Sequence, residues 1–522
     1  MKSFLLFITL SLFLIFNLNA QILWQNTIGG NNFDFAENMI NTSDGGFLIV
    51  GESQSNISGD KTEDSKGDAD FWIVKTNNLG VVQWEKTIGG SNEDYAASAV
   101  ETNDGGFAIV GISNSNVSGD KTENSKGDYD FWIVKINSTG TIVWDKTIGG
   151  DLEDYPESIV ETTSGDLLIG GSSGSNISGN KGEASNGGVD YWVVKTTSTG
   201  SIIWDKTFGG SEDEILGKLR LTPDGGYIIS GTSSSGVSGN KTEATRGDED
   251  YWIIKISNTN TIDWQKTFGG TSGSFSYNFD IIRTSDSGYL ISGENNSGIG
   301  GEKTEASNGG YDLWLIKINN AGTIQWQNSI GGNDDDYTPF LAEKTGGGYI
   351  VGAESLSNIS GDKTENSISN DIWVVELDAT GNVTGDKTFG TDSTEYPESI
   401  LITSDGNFVI ASNVDSLSGD NTEAPVGSTD FWLFKVDKST LSVTSLVKKT
   451  NLKVFPVPAS NQVNIESDIE IETIDIIDIT GKLVSKIELP NKTLDISGLS
   501  KGIYILRLYS KSGTTNRRII KE

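Results

Sequence analysis

The sequence predicts an all-β chain: a seven-bladed β-propeller of four-stranded blades followed by a small C-terminal β-sandwich. Three observations predict it. The element "WxKTIGG" runs from "WQNTIGG" at Trp24 through Trp84, Trp144, Trp204, Trp264 and Trp326 to a decayed "GDKTFGT" at Gly385. A second element, the core of "DFWIVK", places Trp72, Trp132, Trp192, Trp252, Trp314, Trp373 and Trp432. Both recur seven times, mostly sixty residues apart. After Lys449 the repeat stops and the composition changes.

The first twenty residues read as a leader. Lys2 precedes an apolar run from Phe4 to Phe16, and the small Ala20 stands before Gln21. A charged start, a short apolar segment and a small terminal residue describe a Sec signal peptide over residues 1–20. The run is short for a bilayer span and no later segment is as apolar, so the mature chain is expected to carry no transmembrane segment.

Residues 21–449 hold the repeats. In the second copy "ASAVET" is a strand, "NDGG" a hairpin turn and "FAIVGIS" its partner. After an acidic loop come "FWIVKI", the turn "NSTG" and "TIVWDKT". Glycine supplies the positive φ that such short turns need. The two middle strands are apolar on both faces, so neighbouring sheets must cover both. Seven sheets stacked around an axis do this; a solenoid rung is shorter, and a sandwich needs more strands per period. Every one of the 13 tryptophans sits at one of the two repeated positions. They are therefore expected in inter-blade packing rather than on a sugar-binding platform.

Ring closure follows from strand count. The last clear third strand, Phe431 to Val436, lacks an outer partner, while Ile22–Ile28 matches the outer-strand pattern and precedes the first blade. Ile22–Ile28 is expected to complete the seventh blade, with Leu441–Val447 as the rival.

The repeats resemble families of secreted bacterial propeller repeats. The matching residues are "DGGF/Y-x-I-x-G", as at Asp104–Gly111, and "D-F/Y-W-I/V-I/V-K", as at Asp130–Lys135, followed by "G-x-I-x-W", over residues 22–437. This resemblance implies a fold more than a function.

Composition limits the chemistry. The chain has no cysteine and no histidine, which removes disulfides, thiolate or imidazole metal sites, and Cys- or His-based catalysis. Its net charge is −34, and residues 450–522 are close to neutral, so the repeat region carries the excess. That field repels nucleic acid and anionic lipid and attracts cations and basic surfaces.

Antiparallel order puts the short turns on one face of the disc. The long acidic loops, "SGDKTE" and the "GGSNEDY" crossover, lie on the other, which is the expected binding face. Calcium is a possible ligand there, with Asp60, Glu63, Asp68 and Asp70 in copy one and Asp120, Glu123, Asp128 and Asp130 in copy two as candidate ligands. The spacing matches neither an EF-hand nor a nonapeptide calcium repeat, and copies three and four replace the first Asp with Asn180 and Asn240. The competing reading is a turn in which Ser and Asp cap backbone N–H groups. "RGD" at Arg246–Asp248 is the repeat's "KGD" with one residue changed, and "NIS" at Asn56 is likewise a repeat feature. In copies four and five, Phe275, Tyr277, Arg246 and Arg283 suggest a less acidic, aromatic and basic docking sector.

Residues 450–522 read as a small antiparallel sandwich. Pro456, Pro458, Ala459 and Ser460, then Asp478, Gly481 and Lys482, then Leu499, Gly502 and Tyr504, with the basic end through Lys521, resemble the type A C-terminal sorting domain of type IX secretion. Val457 stands where that family commonly has Asn. The resemblance implies Sec export, recognition by the type IX machinery, and release from or attachment to the outer-membrane surface of a Gram-negative bacterium.

The expected function is a non-enzymatic binding, adhesion or scaffold protein with an unidentified glycan or protein ligand. The alternative is a carbohydrate-active lyase or hydrolase using carboxylates on the long-loop face.

Overall fold

The computed structural model describes residues 22–270, 275–441, 453–455, 457–467, 471–478, 482–488, 493–510 and 513–522. The chain divides into two compact units between Ser442 and Val443.

In the first unit β1 (Ile22–Ile28) is followed by β2 (Asp34–Asn41), β3 (Phe47–Ser53), β4 (Asp70–Thr76) and β5 (Val82–Ile88). Strands β2 to β5 form one antiparallel sheet in chain order, and five further sheets repeat it. The seventh sheet holds Tyr396–Ile402, Phe408–Val414 and Asp430–Val436, and its fourth strand is β1. Trp24 lies opposite Lys435 and Ile28 opposite Phe431. The expected closure is the one observed. Of the rival segment, Leu441 ends a short 3-10 turn, and residues 442–447 lie outside the described residues.

The innermost strands touch one another in a closed cycle, β2 meeting both Asp94–Glu101 and Tyr396–Ile402. This is a seven-bladed propeller. Every residue of β4 is buried, as its two apolar faces require when each faces another blade. The third-strand tryptophans are fully buried, and each of the first five packs on an aromatic from the blade before. Phe71 meets Trp132 at 4.8 Å between ring centres, Phe131 meets Trp192 at 4.9 Å, and Phe431 meets Trp72 at 4.8 Å across the closing seam. Aromatic pairs at such separations add to area burial. The outer-strand tryptophans are half-buried against the next blade, Trp84 on Phe107 and Trp204 on Tyr227.

The second unit is a β-sandwich. One sheet orders Lys453–Phe455, Gln462–Glu466 and Thr493–Asp495; the other orders Leu483–Glu488, Ile471–Asp478, Gly502–Ser510 and Gly513–Lys521. Val463, Ile465, Ile474, Ile476, Leu494, Leu506 and Ile519 form its core.

Candidate functional site

The loops between second and third strands and the blade-to-blade crossovers share one face, and there the candidate calcium ligands lie. The structure gives most of them separate tasks. Asp60 and Gly29 exchange hydrogen bonds at 2.9 and 3.2 Å, as do Asp120 and Gly89, so each loop latches onto the blade before it. Glu63 pairs with Lys86 at 2.5 Å and Glu123 with Lys146 at 2.6 Å. Asp70 and Asp130 are fully buried and accept the backbone N–H of Lys66 and Lys126, each at 2.5 Å. Asp68 and Asp128 are exposed. An open groove of about 690 Å³ includes Glu63, Asp64, Lys66, Lys86 and Asp120, with Lys66 paired to Asp120 at 2.6 Å and Lys86 to Glu63. Among the described residues no three carboxylates converge as a metal site.

The loop lysines are not solvated charges. Lys61, Lys121, Lys181, Lys241, Lys303 and Lys363 are buried, each over the third-strand tryptophan of its own blade at 5.1–5.9 Å. Lys121 donates to Ser113 at 2.7 Å and Lys241 to Ser233 at 2.6 Å. In the seventh blade Asn421 replaces the lysine and Val414 replaces the serine.

Of the expected aromatic and basic sector, Arg246 and Arg283 lie on different faces. Phe275 begins the strand that Arg283 ends, which puts Arg283 on the short-turn face. Arg246 stays on the long-loop face, holding Glu302 at 2.6 Å and the Thr267 carbonyl at 3.1 Å. This is the place Lys126 takes two loops earlier, with its bond to the Thr147 carbonyl at 2.8 Å. The side chains of Phe275 and Tyr277 lie outside the described residues.

Groups that the repeat does not share gather on the axis instead. The innermost strands bulge at Glu37, Glu157 and Glu398, and at Ala97 and Gly217 in two other blades. A bulge re-aims its side chain. Crowding by the inner strands, then repulsion by Glu52 and Glu157, pushes the Glu37 carboxyl up to about 8 against Lys218, although Glu37 is open to solvent and Glu157 and Glu398 are only half-buried, as side chains lining a central opening are. Burial raises Glu157 to about 7, again against Lys218. Burial, then Glu37 and Glu354, holds Glu398 far above the usual carboxylate range. Glu37 and Lys218 stand three blades apart, so they meet only across the central opening.

Above these groups, on the long-loop face, runs a collar of partly exposed aromatics. Tyr129 stacks near Tyr155 at 6.1 Å, Tyr311 lies 6.1 Å from Tyr337, and Phe33 stacks on Phe35 at 6.0 Å. The Tyr129 hydroxyl donates to Glu93 and that of Tyr337 to Asp335 at 2.5 Å. Burial raises Glu52 to about 7 with help from Glu93, which links collar and axis.

In the C-terminal unit the Ala459 N–H donates to the Ile520 carbonyl at 2.9 Å, and the Glu522 N–H donates to Ala459 at 3.1 Å. The first motif is thereby sewn to the last strand. Lys482 donates its N–H to Asp478 at 3.1 Å, closing the second motif's turn. Tyr504 donates to the Ser500 carbonyl at 2.9 Å, and Gly502 opens the same strand. Pro456 and Gly481 lie outside the described residues.

Residues 453–522 match the secretion system C-terminal sorting domain. The regulatory protein FlaEY of Caulobacter vibrioides is 23% identical over 402 residues, 70% of this chain and 40% of that protein, so the chain spans about two fifths of that curated relative. A protein of unknown function from Dyadobacter fermentans is 13% identical, covering 69% of this chain and 99% of that one, with a TM-score of 0.40. The Pan2 WD40 domain of Neurospora crassa is 10% identical, covering 81% and 96%, with a TM-score of 0.38. The sorting domain indicates a chain exported by type IX secretion, with the propeller as its cargo.

Proposed function

We propose that this chain is a secreted or cell-surface binding protein, not an enzyme, that holds a positively charged ligand at the collar and central opening. A leader over 1–20, a binding propeller over 21–449 and a sorting domain over 450–522 complete the reading. One observation carries it. The loop carboxylates perform the same structural tasks in blade after blade, whereas Glu37, Glu157 and Glu398 break the repeat and converge on the axis. A cation placed among them relieves their mutual repulsion, and the aromatic faces of the collar suit an ammonium or guanidinium group. The acidic field of the whole propeller steers such a ligand inward. Calorimetric titration with a lysine-rich peptide tests this. Binding should weaken with salt and vanish in the Glu37→Gln/Glu157→Gln/Glu398→Gln variant. Salt-independent binding of a neutral glycan, unchanged in that variant, would overturn it.

A second reading rests on the same carboxyls. A glutamate raised to about 7, as Glu157 is, suits a general acid in glycan cleavage. Polysaccharide turnover lost in Glu157→Gln would establish that reading instead.

A further inference from the structure

Where one blade meets the next, two buried acids come together. The third strand of every blade opens with an aspartate: Asp70, Asp130, Asp190, Asp250, Asp312, Asp371 and Asp430, each at most 3% exposed. In all seven, Oδ1 receives no hydrogen bond. In Asp312 the other oxygen accepts the Asn308 N–H at 2.5 Å. The following blade brings a second acid, Asp94 after Asp70, Asp154 after Asp130, Glu214 after Asp190, Asp336 after Asp312, Glu395 after Asp371 and Asp34 after Asp430, all fully buried. A Cβ built on Gly331 would lie 2.3 Å from Asp312 Oδ1 and 2.9 Å from Asp336 Oδ2, so the two carboxyls flank one Cα. Two carboxylates cannot share so small a dry space without a proton between them.

We propose that Asp312 and Asp336 hold one proton between them across a blade boundary, which makes the ring tighter in mild acid than in mild base. The groups around the pair are few. Asp312 faces Asp336, Lys303 and Asp362; Asp336 faces Lys363 and accepts from Gly332 at 2.7 Å and Ser357 at 3.0 Å. Burial and then Asp336 raise Asp312 to about 7. In the unfolded chain these acids titrate near their ordinary values of about 4. The stability they contribute is therefore complete below that value and is lost as the pH rises through 7.

The test is the proton count of unfolding in the full chain, from calorimetric melts at pH 6 in two buffers of different ionisation enthalpy. Unfolding should release protons, and Asp312→Asn, whose amide supplies the bridging N–H permanently, should release about one fewer. Should that variant fail to fold, infrared spectra at pH 6 of Asp336→Asn supply the answer, since its carboxylic-acid C=O band should be weaker than that of the native chain by one group while the Glu37, Glu157 and Glu398 contributions stay. Proton release undiminished in Asp312→Asn, or a band undiminished in Asp336→Asn, would overturn the proposal.

Discussion

Asn413 grips Ala36 by both ends of its backbone. The Ala36 N–H donates to Asn413 Oδ1 at 2.7 Å, and Asn413 Nδ2 donates to the Ala36 carbonyl at 3.1 Å, although the two residues are 377 positions apart. Both are buried. The amide thus acts as a short piece of strand between the last blade and the first. Asn413→Ala strips two buried backbone groups of their partners and should cost about 3 kcal/mol in urea unfolding. A loss below the error of the measurement would refute this role.

The closing strand should matter more than the tail. A protein lacking residues 21–29 exposes the full edge of Asp430–Val436 and removes Trp24 from Phe47. Its melting temperature should fall steeply, while removal of residues 442–522 should leave the propeller transition in place. Equal melting of both truncations would show that β1 does not hold the ring.

Gly89 is required by Asp70, not by its own backbone. A Cβ there would lie 1.6 Å from Asp70 Oδ1. Gly89→Ala should cost roughly 3 kcal/mol or more, and much of that should return in the Gly89→Ala/Asp70→Ala double variant. Strict additivity of the two changes in a double-mutant cycle would rule out the clash.

The buried lysines set a second pH limb. Burial lowers Lys121, Lys181, Lys241, Lys303 and Lys363 to about 8, from an ordinary 10.5. Between those values the unfolded chain binds more protons than the folded one, so stability rises with pH. Melts from pH 8 to about 9.5, below the tyrosine range, should show that rise, smaller in Lys363→Met. A flat or falling trend would contradict it.

Passage across the outer membrane should depend on the last unit. A chain ending at Ser442 should fold and accumulate inside the outer membrane, and cell fractionation reads this directly. Its appearance outside the cell would remove the sorting role from residues 453–522.

The blades were legible in the sequence because each reuses one pattern of turns, apolar strands and tryptophans. The same uniformity hid the chemistry. Asp70 and Lys61 read as loop charges, yet the structure buries both, since loop and strand meet only after the sheets stack. Glu37, Glu157 and Glu398 carried a signal in their unequal copies: the bulge position is Ala97 in the second blade and Gly217 in the fourth. That signal could not be read as a site, because residues three blades apart face each other only in a closed ring. Arg283 was misplaced for a simpler reason. A nine-residue strand carries its two ends to opposite faces of the disc.

The seventh blade borrows its outer strand from the first seven described residues, and this fixes the order of assembly. β1 has no partner until Asp430–Val436 has been made. Six blades can stack from local neighbours as the chain lengthens, but the ring stays open until nearly all of the repeat region is present. A chain threaded across a membrane from its N-terminus therefore arrives with its latch first and its catch last. Until the two meet, it travels as an open arc with an unpaired edge at each end.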